Sequence, residues 1–361
     1  MIIRIISQFQ EKIKVNNCKK GKGDNMGRIV GKQSIAFDEP AYIIEGASIV
    51  GEKEGEGPLG KQFDVVEQDP MLGQDSWEEA ESLLQKEAIQ KVLFKSNMNK
   101  EDIRYIFAGD LLGQLIATTF GILEFEIPFF GLYGACSTIG EALSVAAITV
   151  EGGNANNVIA IASSHFASAE RQFRFPLAYG NQRPYAATWT VTGAGAVIVS
   201  KDKGFAKITG ITTGKIVDYG VKDAQNMGAC MAPAAADVIY THFKDFNTTA
   251  EDYDKIITGD LGIVGKTILL DLLRDKGYDI SKVHMDCGIE MFDASSQDTH
   301  AGGSGCGCAA TVLTSYIFKQ LKKKAWKKVL FIPTGALMSP VSFNEGNSVP
   351  GIAHLVQIEA C

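Results

Sequence analysis

The sequence has 361 residues, of which 45% are hydrophobic and 21% are charged, so the chain can bury one large core or two fused ones. Its formal net charge of -7 argues against general nucleic-acid binding, and we expect no nucleic-acid partner. The seven cysteines follow no regular framework, which favours a reducing compartment over a secreted one. No apolar run reaches the roughly 18 residues that span a bilayer, so we predict a soluble, intracellular protein.

Residues 1–25 are basic and do not continue into a predicted core element. Arg4 and Gln8 interrupt the apolar run of this segment, which argues against a secretory signal peptide. A strand-like segment begins soon after Met26. We therefore predict that residues 1–25 are an N-terminal extension, either disordered or the product of a gene start placed too early, with translation beginning at Met26.

The first long helix is predicted over residues 76–96, where apolar side chains recur with helical period. Ser76 is a good N-cap residue, and two glutamates in the first turn complement the helix dipole. A buried strand over residues 104–108 follows and ends just before Asp110. Another helix is predicted from Gln114.

A short apolar run that includes Phe129 and Phe130 stops at a turn of small residues between Gly134 and Thr138, and a small-residue helix follows. This pattern predicts a strand, a tight turn and a buried helix, with Cys136 at the N-terminus of the helix. Free N–H groups and the helix dipole stabilise a thiolate at that place, which suits a nucleophile. An inert cysteine also packs well where a helix starts tightly against a sheet, so both interpretations stay open.

A strand at residues 158–162 leads into an unusual polar and aromatic stretch over residues 163–184. Beyond it, residues 193–199 and 205–211 are predicted to form paired strands. The polar stretch carries one histidine and three arginines, interleaved with aromatic side chains: His165, Arg171, Arg174 and Arg183.

The second half of the sequence repeats patterns of the first half in the same order. Residues 101–111 and 251–261 both begin with Glu-Asp, continue into an apolar strand and end in Gly-Asp-Leu. Two further matches follow in the same order, and chance could hardly give all three. The other two matches pair residues 302–316 with the turn and helix after Gly134, and residues 328–332 with residues 157–161.

These repeats indicate a duplicated α/β unit, in which each half alternates strands and helices around a mostly parallel sheet. We place the N-terminal half at residues 26–203 and the C-terminal half at residues 204–361. Two such halves packed together bring their strand ends to one shared crevice. We expect this crevice to hold Asp110, Cys136, Asp260 and the turn at residues 302–308.

An internally duplicated α/β chain with a cysteine at a helix start resembles the thiolase and ketoacyl-synthase superfamily, and the resemblance covers about residues 27–358. A longer set of motifs resembles the stage V sporulation protein AD family of endospore-forming bacteria. The resemblance implies an α/β, thiolase-like fold with two duplicated halves in an α-β-α-β-α arrangement. The motifs are FAGDLLGQ, GACST, SSHFASAERQFRFP, TVTGAGAVIVS, MAPAAAD, ITGDLG, AGGSGCG and TGALMSP.

For this family, the resemblance implies binding of dipicolinic acid (pyridine-2,6-dicarboxylate), alone or as its calcium complex, and loading of the acid into the developing spore. It also implies cooperation with membrane proteins of the same sporulation operon and a peripheral position on the forespore or spore inner membrane. Superfamily members commonly pair through a sheet edge, so we expect a homodimer. We expect no cofactor.

Condensing enzymes and thiolases need two groups besides the cysteine, which stabilise the oxyanion and move protons. The first of these groups, a histidine in ketoacyl synthases, is replaced here by Asp260. A carboxylate at Asp260 cannot donate a hydrogen bond and would oppose a Cys136 thiolate. Residues 333–337 also lack the second cysteine of thiolases. We therefore predict a non-catalytic thiolase-fold protein, with a cysteine-dependent thioester acyltransferase as the alternative.

The carboxylates of dipicolinic acid call for Arg, Lys or N–H donors, and its flat ring calls for apolar or aromatic walls. The arginines of residues 163–184 offer such groups in one loop, although the same loop could instead pair two subunits. His300, just before a glycine-rich turn, is either a surviving site histidine or a residue at the pocket rim. We expect Cys136 to act as a pocket wall. The predicted ligand-binding residues are Cys136, Asp110, Asp260, His165, Arg171, Arg174, Arg183 and His300.

No metal site is firmly predicted. Asp110 and Asp260 carry oxygen donors that suit calcium, but capping of the following helices is the interpretation we favour for both. Five further residues have a spacing that suits zinc, and tight packing at the start of a small-residue helix explains them better. These five residues are His284, Cys287, His300, Cys306 and Cys308.

Overall fold

The structure, a computed structural model, describes residues 27–173 and 182–361. The predicted extension at residues 1–25 and the candidate ligand-binding residue Arg174 lie outside the described residues, so the statements about them stay predictions. Within the two described ranges, no helix is both long and apolar enough to cross a membrane.

Strands and helices alternate along the described chain. The strands are β1 (Arg28–Val30), β2 (Ser34–Gly51), β3 (Val65–Glu67), β4 (Tyr105–Gly109), β5 (Phe129–Gly131), β6 (Asn157–Ser164), β7 (Trp189–Thr190), β8 (Gly193–Ser200), β9 (Ala206–Thr212), β10 (Lys255–Thr258), β11 (His284–Asp286), β12 (Gly303–Ser304), β13 (Lys328–Ile332), β14 (Thr334–Ala336), β15 (Gly351–Ala353) and β16 (Leu355–Ala360). The helices are α1 (Glu52–Gly55), α2 (Trp77–Ser96), α3 (Ile116–Ile122), α4 (Thr138–Glu151), α5 (Phe166–Phe173), α6 (Met227–Phe246), α7 (Gly262–Asp275), α8 (Cys287–Met291), α9 (Cys306–Val312), α10 (Phe318–Lys322) and α11 (Pro340–Asn344).

One mixed sheet of 12 strands runs through both halves of the described chain, in the order β11-β10-β13-β16-β9-β2-β8-β6-β4-β5, with β1 and β3 paired to β2. In the first half, β4 is parallel to β5 and β6, and β8 is antiparallel to β6 and β2. In the second half, β10 is parallel to β11 and β13, and β16 is antiparallel to β13 and β9. The halves therefore repeat one strand order, which confirms the predicted duplication.

Two predictions about this sheet are wrong. Neither half is mostly parallel, because each combines parallel pairs at its outer edge with antiparallel pairs near the centre. The segments predicted as paired strands, β8 and β9, do not pair with each other, because the long strand β2 lies between them. Residues 42–50 of β2 run antiparallel to β8, and residues 34–43 run antiparallel to β9.

Side chains alternate along the central strands and enter different cores. Phe107 faces a central core that also contains buried residues of α4 and α9, whereas its neighbours Ile106 and Ala108 face an outer core with α2 and α3. In the second half, Phe331 faces the central core and Leu330 faces an outer core with α6 and α7. The two halves of the sheet therefore form separate layers, in the order helices, sheet, central helices, sheet and helices. This order confirms the predicted α-β-α-β-α arrangement.

The predicted helices differ in how well their starts agree with the structure. The helix predicted at residues 76–96 is α2, and Ser76 Oγ caps it by accepting a hydrogen bond from the N–H of Glu79 (3.2 Å). The helix predicted from Gln114 begins only at α3. Gln114 and Leu115 adopt left-handed backbone conformations, with φ of 60° and 50°, and a regular α-helix cannot pass through them.

Candidate functional site

The turn that carries Cys136 lies between β5 and α4. Ala135–Ser137 form one 3-10 turn, and α4 begins directly after it at Thr138. Ala135 has a φ of 51°, a left-handed conformation that costs a non-glycine residue free energy. Thr138 Oγ1 holds the turn by donating a hydrogen bond to the carbonyl oxygen of Ala135 (2.7 Å). Cys136 is thus fixed at the N-terminal end of α4, as predicted.

A cavity of about 370 Å³ opens above Cys136. Residues from both halves of the described chain form its walls, and most of its surface is apolar. The predicted crevice corresponds to this cavity in that Cys136, Ser304 and Gly305 line it, whereas Asp110 and Asp260, which were also expected there, do not. The lining residues are Leu111, Tyr133, Ala135, Cys136, Gln172, Thr190, Met227, Ser304, Gly305, Ala336, Leu337, Met338, Ser339 and Pro340.

Asp260 lies beside Cys136, just after β10, and is fully buried. Its Oδ1 accepts a hydrogen bond from Thr334 Oγ1 (2.8 Å), and its Oδ2 accepts one from the N–H of Gly305 (3.0 Å). The thiol of Cys136 is a further donor to this carboxylate. Burial raises the pKa of Asp260 to about 7, although all three hydrogen bonds favour the charged form.

The surroundings of Cys136 do not stabilise a thiolate. Burial raises the pKa of the Cys136 thiol well above its ordinary value, and the negative charge of Asp260 raises it further. Cys306 lies in the same region, where its thiol donates to the carbonyl oxygen of Ala135 (3.0 Å). Of the two interpretations of Cys136, this environment favours a neutral, packed thiol over an activated nucleophile.

The two Gly-Asp-Leu turns differ in what their aspartates do. Asp110 accepts a hydrogen bond from the N–H of Thr118 in the first turns of α3 (2.8 Å), so it caps that helix as predicted. At the start of α7, the N–H of Gly262 instead donates a hydrogen bond to Asp286 (3.1 Å), which lies at the end of β11. The capping interpretation is therefore correct for Asp110 and wrong for Asp260, whose oxygens face the Cys136 turn.

None of the five histidines, all of which lie in the described ranges, lines the cavity. His300 Nδ1 is hydrogen-bonded to the carbonyl oxygen of Pro184 (3.0 Å), and its Nε2 lies 3.1 Å from the carboxylate of Asp298. His165 Nε2 is hydrogen-bonded to the carbonyl oxygen of Pro70 (2.8 Å). Both histidines predicted for the site are therefore engaged outside the cavity that holds Cys136.

Of the three predicted arginines, the two that the structure describes, Arg171 and Arg183, do not reach this cavity. Arg171 forms an ion pair with Glu78 at the surface. Arg183 is buried, and its guanidinium lies over the ring of Trp189, 4.8 Å from the ring centroid. Neither arginine lines the cavity, and Arg174 lies outside the described residues.

Comparison with known proteins places the chain in a family. The family model of Stage V sporulation protein AD (SpoVAD) matches residues 31–359. Stage V sporulation protein AD of Bacillus subtilis is 45% identical over 332 residues, which are 92% of this chain and 98% of that protein. The chain belongs to the stage V sporulation protein AD family.

Solved structures share the fold of this sporulation protein at low identity. One is 3-oxoacyl-[acyl-carrier-protein] synthase III from Aquifex aeolicus VF5, with 14% identity, a TM-score of 0.53, and coverage of 88% of this chain and 99% of that chain. Another is Acat5 thiolase from Ascaris suum in complex with coenzyme A, with 10% identity, a TM-score of 0.55, and coverage of 89% and 100%. At these identities the similarity shows the thiolase-like fold alone.

Some cavity residues of this sporulation protein were missed in the sequence. Gln172 lines the cavity from α5, whereas its neighbour Arg171, the predicted ligand-binding residue, lies at the surface. Met227 lines it as the first residue of α6. A signal for that helix start was present, because Asn226 precedes an alanine-rich segment and its side chain accepts from the N–H of Ala229 (3.3 Å).

Several helices of the sporulation protein begin at the cavity. Helix α4 starts two residues after Cys136, α6 starts at Met227, and Gly305 is the N-cap residue of α9. A helix N-terminus presents free N–H groups and the positive end of the dipole. This arrangement favours an anionic ligand, although the described lining residues include no Arg, Lys or His.

A metal site is not visible in the described part of the sporulation protein. Within residues 27–173 and 182–361, no group of three or more His, Cys, Asp or Glu side chains is arranged to hold a metal ion. The zinc-like spacing therefore corresponds to no site there. The oxygens of Asp110 and Asp260 already accept N–H and O–H donors, which a directly bound calcium ion would have to displace.

Proposed function

We propose that this sporulation protein binds dipicolinic acid in the cavity above Cys136 and catalyses no reaction on it. The choice of ligand rests on the resemblance to the family, which implies loading of this acid into the developing spore. One observation carries the choice of site: a mostly apolar cavity of about 370 Å³ in which helix N-termini converge on a cysteine.

The size and the polarity of the cavity suit a flat dianion. Small-molecule pockets commonly measure roughly 300–1,000 Å³. Leu111, Leu337 and Met338 offer apolar walls for the ring, and the N-termini of α4, α6 and α9 offer positive potential for the carboxylates. Asp260 opposes an anion less than an ordinary aspartate does, because its pKa of about 7 leaves part of it neutral at neutral pH.

The groups around Cys136 support the proposal that the protein is not an enzyme. Attack on a thioester needs a thiolate and donors that stabilise the oxyanion. Here burial and Asp260 raise the pKa of the Cys136 thiol, and no histidine lines the cavity. The rival function is a cysteine-dependent thioester acyltransferase, since the solved structures of this fold include enzymes. The two functions differ in whether Cys136 becomes acylated.

We propose the metal-free acid as the ligand that the protein recognises. Asp110 and Asp260 were the candidate calcium contacts, and the oxygens of both already accept hydrogen bonds. Calcium should therefore leave the affinity of the site unchanged once the calcium complex formed in solution is taken into account. Binding that occurs only with calcium would contradict this part of the proposal.

Calorimetric titration with dipicolinate tests the proposal. We expect saturable heat from the wild-type protein and at least tenfold weaker binding at this cavity from Ser339→Phe, because residue 339 lines the cavity and a phenyl group there narrows it. Val341→Phe, on the exposed side of α11, should bind like the wild type. Incubation with acetyl-coenzyme A followed by mass spectrometry should leave Cys136 unmodified. No binding at millimolar dipicolinate, or a stable acyl adduct on Cys136, would contradict the proposal.

We also propose that two copies of the chain pair through β5. This strand is the last one in the sheet order, and it exposes 43% of Phe129 and 53% of Phe130. An exposed edge strand with large apolar side chains readily pairs with another strand. Light scattering after size-exclusion chromatography should show a dimer for the wild type and for Phe94→Glu, an exposed position on α2. Phe130→Glu should be monomeric, and a dimeric Phe130→Glu would exclude this interface.

The remaining partners are proposed from the resemblance to the family. We propose that the protein cooperates with membrane proteins of the same sporulation operon and lies peripherally on the forespore or spore inner membrane. Fractionation of sporulating cells should recover the protein with this membrane, and deletion of the operon's membrane proteins should release it. Recovery away from the membrane in both strains would contradict the proposal.

A further inference from the structure

A second cavity, of about 210 Å³, shares no lining residue with the cavity above Cys136. Four of its eleven lining residues carry aromatic rings: Trp77, His165, Phe166 and Trp189. Trp189 stacks on Phe166, with ring centroids 4.0 Å apart and ring planes at 12°, and Trp77 lies 5.3 Å from the ring of His165. Trp77 and Phe166 are half-buried and leave aromatic surface at this cavity that suits a flat ring, whereas the face of Trp189 that stacks on Phe166 is covered.

Lys53 places a positive charge at this cavity. Its Nζ lies 4.4 Å from the centroid of Trp189. In the described part of the structure, Nζ donates one hydrogen bond, to the carbonyl oxygen of Gln297 (2.6 Å), and an ammonium group has three N–H donors. Burial lowers the pKa of Lys53, and the nearby charge of Arg183 acts in the same direction. A negative charge placed beside Lys53 would offset both effects.

The acidic groups at and near this cavity carry little unpaired negative charge that would repel an anion. Glu54 is buried, and its Oε1 accepts a hydrogen bond from the N–H of Thr192 (3.0 Å). Burial raises the pKa of Glu54 to about 7, so part of it is neutral at neutral pH. Asp298 does not line the cavity, and it pairs with Arg183, which also donates to the backbone carbonyl oxygen of Asp298 (2.6 Å). Glu52, the other acidic lining residue, is exposed to solvent, where its charge is screened.

We propose that this second cavity binds a planar aromatic carboxylate, whose ring lies against Trp77 and Phe166 and whose carboxylate pairs with Lys53, which lies over Trp189. The aromatic walls match a flat ring, and a charge-assisted hydrogen bond from Lys53 fixes its orientation. Dipicolinic acid belongs to this class, so the cavity is a second site for the same ligand. In that choice of ligand, the inference rests on the proposed function. The chain then binds two molecules of the acid.

Tryptophan fluorescence distinguishes the two cavities. The protein has three tryptophans, of which Trp77 and Trp189 line the second cavity and none lines the first. We expect dipicolinate to quench the fluorescence of the full chain saturably, and cyclohexane-1,3-dicarboxylate, which has no aromatic ring, to leave it unchanged. Lys53→Met should weaken the quenching at least tenfold. Lys61→Met, a nearby lysine outside both cavities, should have no effect.

The calorimetric titration with Ser339→Phe separates this inference from the proposed function. Quenching should persist in Ser339→Phe, whose first cavity is narrowed. Quenching that Lys53→Met does not weaken, or heat of binding without any quenching, would overturn the inference and leave the first site standing. Quenching that depends on Lys53, with heat unaffected by Ser339→Phe, would support the inference and overturn the first site. Thermal unfolding checks that each variant is folded, and Lys53→Gln replaces Lys53→Met if that variant is not.

Discussion

Replacement of Asp260 by asparagine removes the buried carboxyl beside Cys136 and keeps the shape of the side chain. The amide oxygen can still accept from the N–H of Gly305, and the amide nitrogen can donate to Thr334 Oγ1, so the contacts with these two residues persist. The variant therefore isolates the effect of the ionisable group. We expect its stability to depend less on pH than that of the wild type.

The size of this effect follows from the pKa of Asp260. Burial raises this pKa from 3.8 to about 7 in the folded protein. A group whose pKa is raised on folding contributes stability that is fully present below its unfolded pKa and is lost as the pH rises through its folded pKa. A rise of about three pKa units corresponds to ~4 kcal/mol of the free energy of unfolding, and ~3 kcal/mol of this lies between pH 5 and pH 8.

Guanidinium unfolding at pH 5 and pH 8 measures the effect. The free energy of unfolding of the wild type should fall by ~3 kcal/mol more than that of Asp260→Asn over this range. Glu54 and Glu81, with pKa values raised by burial to about 7 and about 8, contribute equally to both proteins and cancel in the difference. Asp275→Asn, an exposed position in α7, should keep the wild-type slope. Equal slopes for the wild type and Asp260→Asn would refute the reasoning.

Three further predictions follow from single contacts. Asp286→Ala should lower the free energy of unfolding by about 3 kcal/mol or more in chemical denaturation, because it leaves buried N–H groups at the start of α7 without an acceptor; a loss under 1 kcal/mol would contradict its capping role. Gly195→Ala should lower the melting temperature strongly or prevent folding, because the new Cβ would lie 2.4 Å from the backbone of Ala310 in α9. A melting curve like that of the wild type would disprove this close packing. Iodoacetamide should alkylate Cys136 slowly in the wild type at pH 7 and faster in Asp260→Asn, because the charge that opposes the thiolate is gone; equal rates by mass spectrometry would show that Asp260 does not control this thiol.

The duplication could be predicted from the sequence because each matching segment carries a complete local pattern. The segments that begin near residues 101 and 251 each combine a capped entry, a buried strand and a Gly-Asp-Leu turn. In the structure, Asn99 and Thr249 both form capping boxes with the aspartate three residues further on. The repeat therefore extends from residue types to hydrogen bonds, and local physics is enough to reveal it.

The roles of the two Gly-Asp-Leu aspartates could not be predicted, because the same motif meets different surroundings. Asp110 reaches the N–H of Thr118, since α3 begins several residues after the turn. In the second half, α7 begins at Gly262, directly after the turn, and Asp286 from the neighbouring strand β11 takes the N–H groups there. Asp260 is thereby free to face Cys136. The local sequence around a helix start cannot predict that its N–H groups are capped by a side chain from another strand.

The position of β2 between β8 and β9 also could not be predicted from the local sequence. β8 and β9 are close in sequence, and both read as short strands rich in apolar residues, which favoured direct pairing. The 18-residue strand β2 is long enough to pair with β8 along one part and with β9 along another. The backbone groups of both strands are satisfied equally well this way, so only the tertiary arrangement decides between the two pairings.

A crystal structure of the full chain grown with dipicolinate tests the central claim most directly. The account predicts density for the flat acid in the cavity above Cys136, with its ring against Leu111 and Met338 and with an unmodified thiol on Cys136. An empty cavity in crystals that hold the acid elsewhere, or a covalent adduct on Cys136, would contradict it.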